Sequence, residues 1–161
     1  MPIKGFFPTG YHLLPAPYVQ AYLFLTRLNL HGLISFMIDT GSDNTTLSLI
    51  DVERLNLNYR RLKRASLVGV EGIAGEQSFY QDEAFIMFRE EDATTYLFPI
   101  SVHIPKKGKR GIERELQRRL PSILGRDITN QCNLAVNYQQ GIIELTPPEG
   151  AKRPVPTRRL L

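Results

Sequence analysis

A carboxylate that directly follows an apolar segment is the feature of this sequence with the clearest chemical meaning. Asp39-Thr40-Gly41-Ser42 comes immediately after Phe36-Met37-Ile38. Gly41 allows a sharp turn, and a buried preceding strand would remove water from the carboxylate, which favours its neutral form. If a second such carboxylate lies within ~3 Å, repulsion between like charges leaves one protonated and one ionised. Such a pair can take a proton from a water molecule and protonate the carbonyl oxygen that the water attacks.

The triplet Asp39-Thr40-Gly41 is a weak signal by itself. With equal residue frequencies, such a triplet occurs by chance in a chain of this length with a probability of roughly 2%. An ordinary β-turn containing aspartate and glycine would have the same sequence. Its interpretation therefore depends on the elements around it.

The elements around the triplet are predicted to be mostly strands, because β-branched, aromatic and aliphatic residues fill several short segments between turn residues. The strand at 33–38 is expected to be buried on both faces, with a turn at His31-Gly32 before it. Residues 66–79, which contain three glycines, are predicted to form a long hairpin tip. Further strands are predicted at 18–30, 45–49, 79–89, 94–104, 134–138 and 142–145.

Short helices are predicted between these strands. Ser48 is a candidate N-cap for a helix that runs through Leu55. Residues 112–120 are predicted to form a helix that Pro121 ends. A third helical stretch is expected after Ile123-Leu124-Gly125. The chain is therefore predicted to be mainly β with two or three short helices.

The order of these elements resembles the retropepsin family, the retroviral-type aspartic proteases. Residues 21–48, AYLFLTRLNLHGLISFMIDTGSDNTTLS, are similar to the family's opening of a strand, a glycine turn, an apolar strand and Asp-Thr-Gly. Residues 69–75 resemble its glycine-rich flap, and Ile123-Leu124-Gly125-Arg126-Asp127 resembles its late hydrophobic-hydrophobic-Gly element. Residues 134–145 resemble its closing hairpin. Four elements in this order, over residues 18–145, are far less expected by chance than one triplet.

The resemblance implies a fold and a set of site residues. The fold would be an acid-protease β-barrel, closed or partly open, with a flap hairpin. Asp39 would be the catalytic carboxylate, Thr40 would lock two active-site loops together across a subunit boundary, and Gly41 would admit the scissile peptide. The residues supporting the loop would be Ser42, Asp43, Leu124, Gly125 and Arg126, with Asp43 paired to Arg126. The flap and substrate-binding residues would be Gly69, Val70, Glu71, Gly72, Ile73, Ala74 and Gly75.

The assignment of Arg126 has an alternative, and that of Ser42 has a consequence for the pH dependence of activity. Arg126-Asp127 could instead be an ordinary solvated helix start. Ser42 stands where some retroviral members have alanine, and a hydroxyl donated to the ionised Asp39 would lower the pKa of that carboxyl. A more acidic activity optimum than in the alanine-containing relatives is therefore expected.

The number of Asp-Thr-Gly triplets in the chain indicates how many chains a complete active site would need. The chain has 161 residues, too few for two large duplicated lobes, and contains a single Asp-Thr-Gly. Asp51, Asp82, Asp92 and Asp127 lack that context. A second catalytic carboxylate would therefore come from a second chain, which predicts a two-fold homodimer with the active site on its axis.

The charge is concentrated rather than spread. The chain has 20 Lys and Arg against 16 Asp and Glu, a net charge of +4, and residues 106–119 contain seven basic and two acidic residues. This segment lies within a basic insertion at about 105–121. Nucleic-acid binding is disfavoured because no aromatic residues alternate with the basic ones.

Other chemistries have little support. His12, His31 and His103 lack the spacing of metal ligands, and Cys132 has no partner in a catalytic pattern. No metal or organic cofactor is expected. No apolar run reaches the ~18 residues of a membrane span, and the N-terminus does not resemble a signal peptide, so no membrane partner and a cytoplasmic location are expected.

The sequence predicts an N-terminal arm at 1–17, a protease-like domain at 18–146 and a basic tail at 147–161. The predicted function is an aspartic endopeptidase that cleaves peptide or protein substrates. The alternative is a catalytically silent dimer of the same fold that binds peptides or proteins.

Overall fold

A computed structural model describes residues 2–10, 13–63, 66–72, 75–90 and 94–150 of the chain. The predicted flap residues Ile73 and Ala74, together with His12 and residues 151–161 of the predicted tail, lie outside the described residues. The described part is mainly β. Its strands are β1 (Ile3–Lys4), β2 (Tyr18–Leu25), β3 (Leu30–Ile38), β4 (Leu67–Gly72), β5 (Gly75–Arg89), β6 (Thr95–Pro105), β7 (Ser122–Leu124), β8 (Asn133–Asn137) and β9 (Ile142–Thr146). Its α-helices are α1 (Leu49–Arg54), α2 (Gly111–Arg118) and α3 (Arg126–Thr129).

The described strands form two sheets. The larger one has the order β4-β5-β2-β3-β7, with β6 also paired to β5, and the smaller one has the order β1-β9-β8. Among the described strands, β4 and β6 each pair only with β5, and β7 pairs only with β3, so no closed barrel of paired strands is found. The mainly β class is therefore confirmed, while the closed or partly open barrel stays a prediction.

The turn between β2 and β3 differs from the sequence prediction. The two strands pair from Tyr18↔Met37 to Leu25↔Leu30. The connection is a 3-10 turn over Thr26–Leu28 followed by Asn29, whose φ of 53° lies in the left-handed region that asparagine tolerates. The prediction of a turn at His31-Gly32 was therefore wrong, and these residues lie inside β3.

β3 is buried on one face only, which corrects a second expectation. Ile34, Phe36 and Ile38 are buried, whereas Leu33 and Ser35 on the opposite face are exposed. Side chains alternate between the two faces of a strand, and no layer of the described residues covers the second face. The buried face belongs to the main apolar core of the molecule.

A parallel pairing holds the end of β3. Phe36, Met37 and Ile38 pair with Ser122, Ile123 and Leu124 of β7. Thr46 bridges to Ile123 on one side and to His103 of β6 on the other. The chain after Asp39 is therefore threaded between β6 and β7. Because pairing is limited to this one residue before α1 begins, the prediction of a regular strand at 45–49 was wrong.

The predicted helices and hairpins are present in the described residues. The Ser48 side chain accepts a hydrogen bond from the amide of Asp51, which confirms it as the N-cap of α1. α2 ends at Arg118, before Pro121. β4 and β5 pair from Leu67↔Tyr80 to Gly72↔Gly75, and β8 and β9 form the predicted closing hairpin.

The segment before residue 18 contributes a strand to the smaller sheet. Ile3 pairs with Leu145, and Lys4 pairs with Glu144. The boundaries of the predicted arm, domain and tail stay a prediction. No helix in the described ranges combines the length and the apolar character that a membrane crossing requires.

Candidate active site

Asp39 lies at the end of β3 in a loop held by main-chain hydrogen bonds. Its amide donates to the carbonyl of Leu124 over 3.1 Å, and the Ser42 amide donates to the Asp39 carbonyl over 3.2 Å. The Gly41 amide donates to Oδ1 of Asp39 over 2.9 Å. The Asp39 side chain is half-buried. The carboxylate is thus oriented by its own loop while one side stays accessible.

The other two residues of the triplet line the outside of this loop. Thr40 and Gly41 are exposed. A Cβ added at Gly41 would lie 3.1 Å from Oδ1 of Asp39, which is closer than most contacts of a real Cβ. Glycine at this position therefore allows the main chain to approach the carboxylate.

The Ser42 hydroxyl does not donate to Asp39 in the single chain. It donates to the carbonyl of Asn44 over 3.0 Å, since the loop turns that carbonyl towards it. A hydroxyl has one proton to donate. The structure thus removes the basis for the acid shift expected from Ser42.

Residues of α3 brace the loop from the other side. The side chains of Arg126 and Asp43 form an ion pair. The Arg126 amide donates to the Ser42 carbonyl over 2.8 Å, and the Asp127 amide donates to the Asp43 carbonyl over 3.1 Å. Because both members of the ion pair are largely exposed, the main-chain bonds are expected to stabilise this brace more than the ion pair does.

A buried hydrogen-bond network under the loop was missed from the sequence. The buried Thr45 donates its hydroxyl to Oδ1 of Asp127 over 2.7 Å and its amide to Oδ2 over 2.9 Å. The Thr45 hydroxyl also accepts from the Gly125 amide over 3.2 Å. Hydrogen bonds to a charged group contribute about 1.5–3 kcal/mol each. No local pattern marked Thr45, since its partner lies 82 residues away.

Gly125 lies in direct contact with the backbone of the same loop. An added Cβ would lie 2.5 Å from the Asn44 carbonyl carbon, 2.7 Å from its oxygen and 2.9 Å from its nitrogen. Real Cβ atoms essentially never approach so closely, and backbone atoms cannot swing aside as the end of a side chain can. Only glycine fits between β7 and α3 at this position.

The structure brings the predicted loop residues together but keeps the predicted flap residues on separate strands. Asp39, Ser42 and Asp43 meet Leu124, Gly125 and Arg126 at the junction of β3, β7 and α3. Gly69, Val70, Glu71, Gly72 and Gly75 lie in the β4–β5 hairpin, which is separated from β3 by β2 in the sheet order. Within the described ranges, no hydrogen bond joins this hairpin to the Asp39 loop.

The described residues contain no group of three or more His, Cys, Asp or Glu side chains that could hold a metal ion. His31 stacks on Phe24 in the β2–β3 hairpin.

His103 lies buried beside the loop and gives a prediction on acid stability. Its ring stacks on Phe79, its Nε2 lies 2.8 Å from Nε2 of Gln81, and its main chain pairs with Thr45 and Leu47. Burial lowers the pKa of His103 from its ordinary value of 6.5. The negative charge of Asp127 acts in the opposite direction, but its effect is smaller than that of burial. Because the unfolded chain binds the proton more readily, stability is expected to fall as pH drops below about 6.5.

Urea unfolding across this pH range measures the effect. His103→Gln, whose amide does not titrate, is expected to lose less stability between neutral pH and pH ~5 than the wild type does. Equal losses in the two proteins would contradict the assignment to His103.

Cys132 is half-buried, and burial raises the pKa of its thiol to about 11. The thiolate is the nucleophilic form, so the thiol is expected to react slowly with iodoacetamide at neutral pH. Mass spectrometry should show slow alkylation of the native protein and fast alkylation in denaturant. Fast alkylation of the native protein would contradict this prediction.

The comparisons with known proteins bear on the fold. No protein-family model matches the sequence, and no curated protein sequence matches it. Among solved structures, the fold is similar to the crystal structure of a retropepsin-like aspartic protease from Rickettsia conorii, with a TM-score of 0.55, 91% of each chain covered and 16% sequence identity. At this identity the likeness concerns the fold alone, and the chain has a mainly β fold of the kind found in that protease.

Proposed function

We propose that the protein is an aspartic endopeptidase whose active site forms at the two-fold axis of a homodimer. The observation that carries this proposal is the placement of Asp39. An accessible, oriented carboxylate ends a core strand and is supported from below by β7 and α3. The likeness to the fold of a known aspartic protease supports the same interpretation.

The second carboxylate would be Asp39 of the second chain. Two carboxylates at hydrogen-bond distance cannot both ionise readily, so the pair shares one proton. The ionised member accepts a proton from a water molecule as the water attacks the scissile carbonyl carbon, while the protonated member gives its proton to the carbonyl oxygen. The tetrahedral intermediate then collapses as the amide nitrogen gains a proton and the carbon–nitrogen bond breaks.

The loop residues would have positioning roles in this scheme. Thr40 would join the loops of the two chains, and Gly41 would let the substrate main chain approach. The predicted flap, which consists of Gly69, Val70, Glu71, Gly72, Ile73, Ala74 and Gly75, would cover an extended peptide. The peptide would bind through strand-like main-chain hydrogen bonds. The loop would be braced by Ser42, Asp43, Leu124, Gly125 and Arg126. This brace would hold the two carboxylates at a fixed distance and orientation.

Digestion of an unfolded protein tests the proposal. A reduced and alkylated protein is incubated with the wild-type chain across acid and neutral pH, and the products are identified by mass spectrometry. Sedimentation at the same concentration measures the assembly. Cleavage by a dimer is the expected result, and cleavage by a monomer would refute the two-chain site. A dimer that binds the unfolded protein without cleaving it would favour the silent binding module instead.

A further inference from the structure

Helix α2 contacts the rest of the molecule through its polar side. Arg118 pairs with Glu53 of α1 over 2.8 Å, and Nε2 of Gln117 donates to the Lys106 carbonyl over 2.8 Å. Arg114 donates to the Lys109 carbonyl over 2.9 Å. No residue of α2 is buried. This is the reverse of an ordinary surface helix, which turns its apolar side towards the core.

The apolar side of α2 faces solvent, and a groove begins just beyond the end of the helix. Ile112 and Leu116 are 67% and 55% exposed, and their spacing of four residues places them on one face of α2. Leu120, two residues beyond the end of the helix, is 54% exposed. Leu120 also lines a groove of about 510 Å³ on the exposed face of β3. We use the name α2 patch for the exposed apolar residues of this helix and groove, which are Ile112, Leu116, Leu120, Ile50, Leu33 and Phe6. Ile112 and Leu116 lie outside the groove, whose lining also includes the charged Asp51 and Arg54. Exposed apolar side chains grouped in this way and bordered by polar residues are typical of an interaction site.

Basic residues flank Ile112 and Leu116 in the sequence, and we call them the basic margin of the α2 patch. Residues 106–119 contain seven basic and two acidic residues. Glu53 pairs with Arg118 and Lys107, Glu113 pairs with Arg110, and Glu115 pairs with Arg118. In the part of the chain that the structure describes, no carboxylate forms an ion pair with Lys106, Lys109 or Arg119. A partner that fits this surface therefore combines apolar side chains with carboxylates beside them.

The α2 patch is connected to the candidate catalytic loop by a short stretch of regular structure. Leu120 and Pro121 lead directly into β7, and both line the groove. β7 pairs with β3, and its Leu124 accepts the hydrogen bond from the Asp39 amide. A polypeptide held on the patch would have its neighbouring segment close to this loop.

We propose that the α2 patch is a docking surface for protein substrates that carry an amphipathic acidic segment. Apolar side chains of that segment pack on Ile112, Leu116 and the groove, and its carboxylates pair with the basic margin. The substrate role rests on the proposed function, whereas binding to the patch does not require cleavage.

Binding to the Asp39→Asn protein tests this docking surface separately from catalysis. The probe is a fluorescent helical peptide with leucines on one face and glutamates beside them, followed by anisotropy. Two matched peptides replace the glutamates with lysines or the leucines with serines. The protein variants are Ile112→Ser with Leu116→Ser, Lys106→Glu with Lys109→Glu, and the control Val136→Ser, which changes an exposed apolar residue of β8.

The acidic peptide is expected to bind, and both double variants should weaken it about tenfold or more, whereas Val136→Ser should not. Binding should also weaken as salt is raised. Equal binding of the lysine peptide, or no binding of the acidic one, would overturn the inference. So would preferential binding to anionic vesicles, or a change in sedimentation on Ile112→Ser with Leu116→Ser that shows the patch to be covered by a second copy. Failure of cleavage with binding retained would count against the proposed function alone.

Discussion

Replacing Asp39 with Asn is expected to lower kcat for peptide hydrolysis by about a thousandfold or more, since an amide can neither accept the water proton nor supply one to the carbonyl oxygen. The fold should be retained, because the Gly41 amide can donate to the amide oxygen of Asn as it does to Oδ1 of Asp39. Hydrolysis of a fluorogenic peptide measures kcat, and circular dichroism checks the fold. Glu144→Gln on β9 is the matched control and should leave kcat unchanged.

Mixing wild-type and Asp39→Asn chains tests whether the active site needs two chains. If each active site needs Asp39 from two chains, an equal mixture of wild-type and Asp39→Asn chains at fixed total concentration should retain about one quarter of the wild-type activity. A site contained within one chain would retain about half. Cleavage by the Asp39→Asn protein alone within about tenfold of wild type would refute the role of Asp39.

Replacing Gly125 with Ala is expected to destabilise the protein by about 3 kcal/mol, the upper part of the range for overpacking in a rigid site. The added Cβ would lie 2.5 Å from the Asn44 carbonyl carbon, and the loop that carries Asp39 would have to move. The activity should fall together with the stability, because the same displacement shifts the carboxylate. Urea unfolding and kcat of the folded fraction measure the two effects.

Gly111→Ala is the matched control for this substitution. A Cβ at Gly111 meets nothing within 4 Å, and this residue begins α2. Alanine favours helix over glycine by roughly 0.5–1 kcal/mol, so the stability should be unchanged or slightly raised. If Gly125→Ala is tolerated as well as Gly111→Ala, the tight packing of Gly125 against Asn44 is contradicted.

Local patterns predicted those elements whose causes are local. Ser48 was identified as an N-cap because serine competes for the first free amides of a helix, and Asp51 donates its amide to it. The closing hairpin at β8 and β9 followed from two apolar segments around Gly141. The turn before β3 was misplaced because glycine is a strong turn signal, whereas Asn29 with a buried Leu28 before it forms the actual turn.

The burial of a strand or helix depends on which other elements pack over it. The sequence of the strand or helix itself does not specify those neighbours. The residues 33–38 are apolar enough for a strand with two covered faces, yet Leu33 is exposed because no layer among the residues that the structure describes lies over it. The amphipathic pattern of α2 likewise predicts a helix but not its orientation. Ion pairs and carbonyl contacts on its polar side turn Ile112 and Leu116 outward.

The sequence by itself determined that a carboxylate follows an apolar strand, that a single Asp-Thr-Gly is present, and where most strands and helices run. These features follow from residue type and from spacing over a few positions. Only the tertiary structure decided that β7 lies parallel to β3, that Thr45 binds Asp127, and that Gly125 touches the backbone of Asn44. These contacts join residues about 80 positions apart, and their partners are set by how whole elements pack rather than by any local pattern.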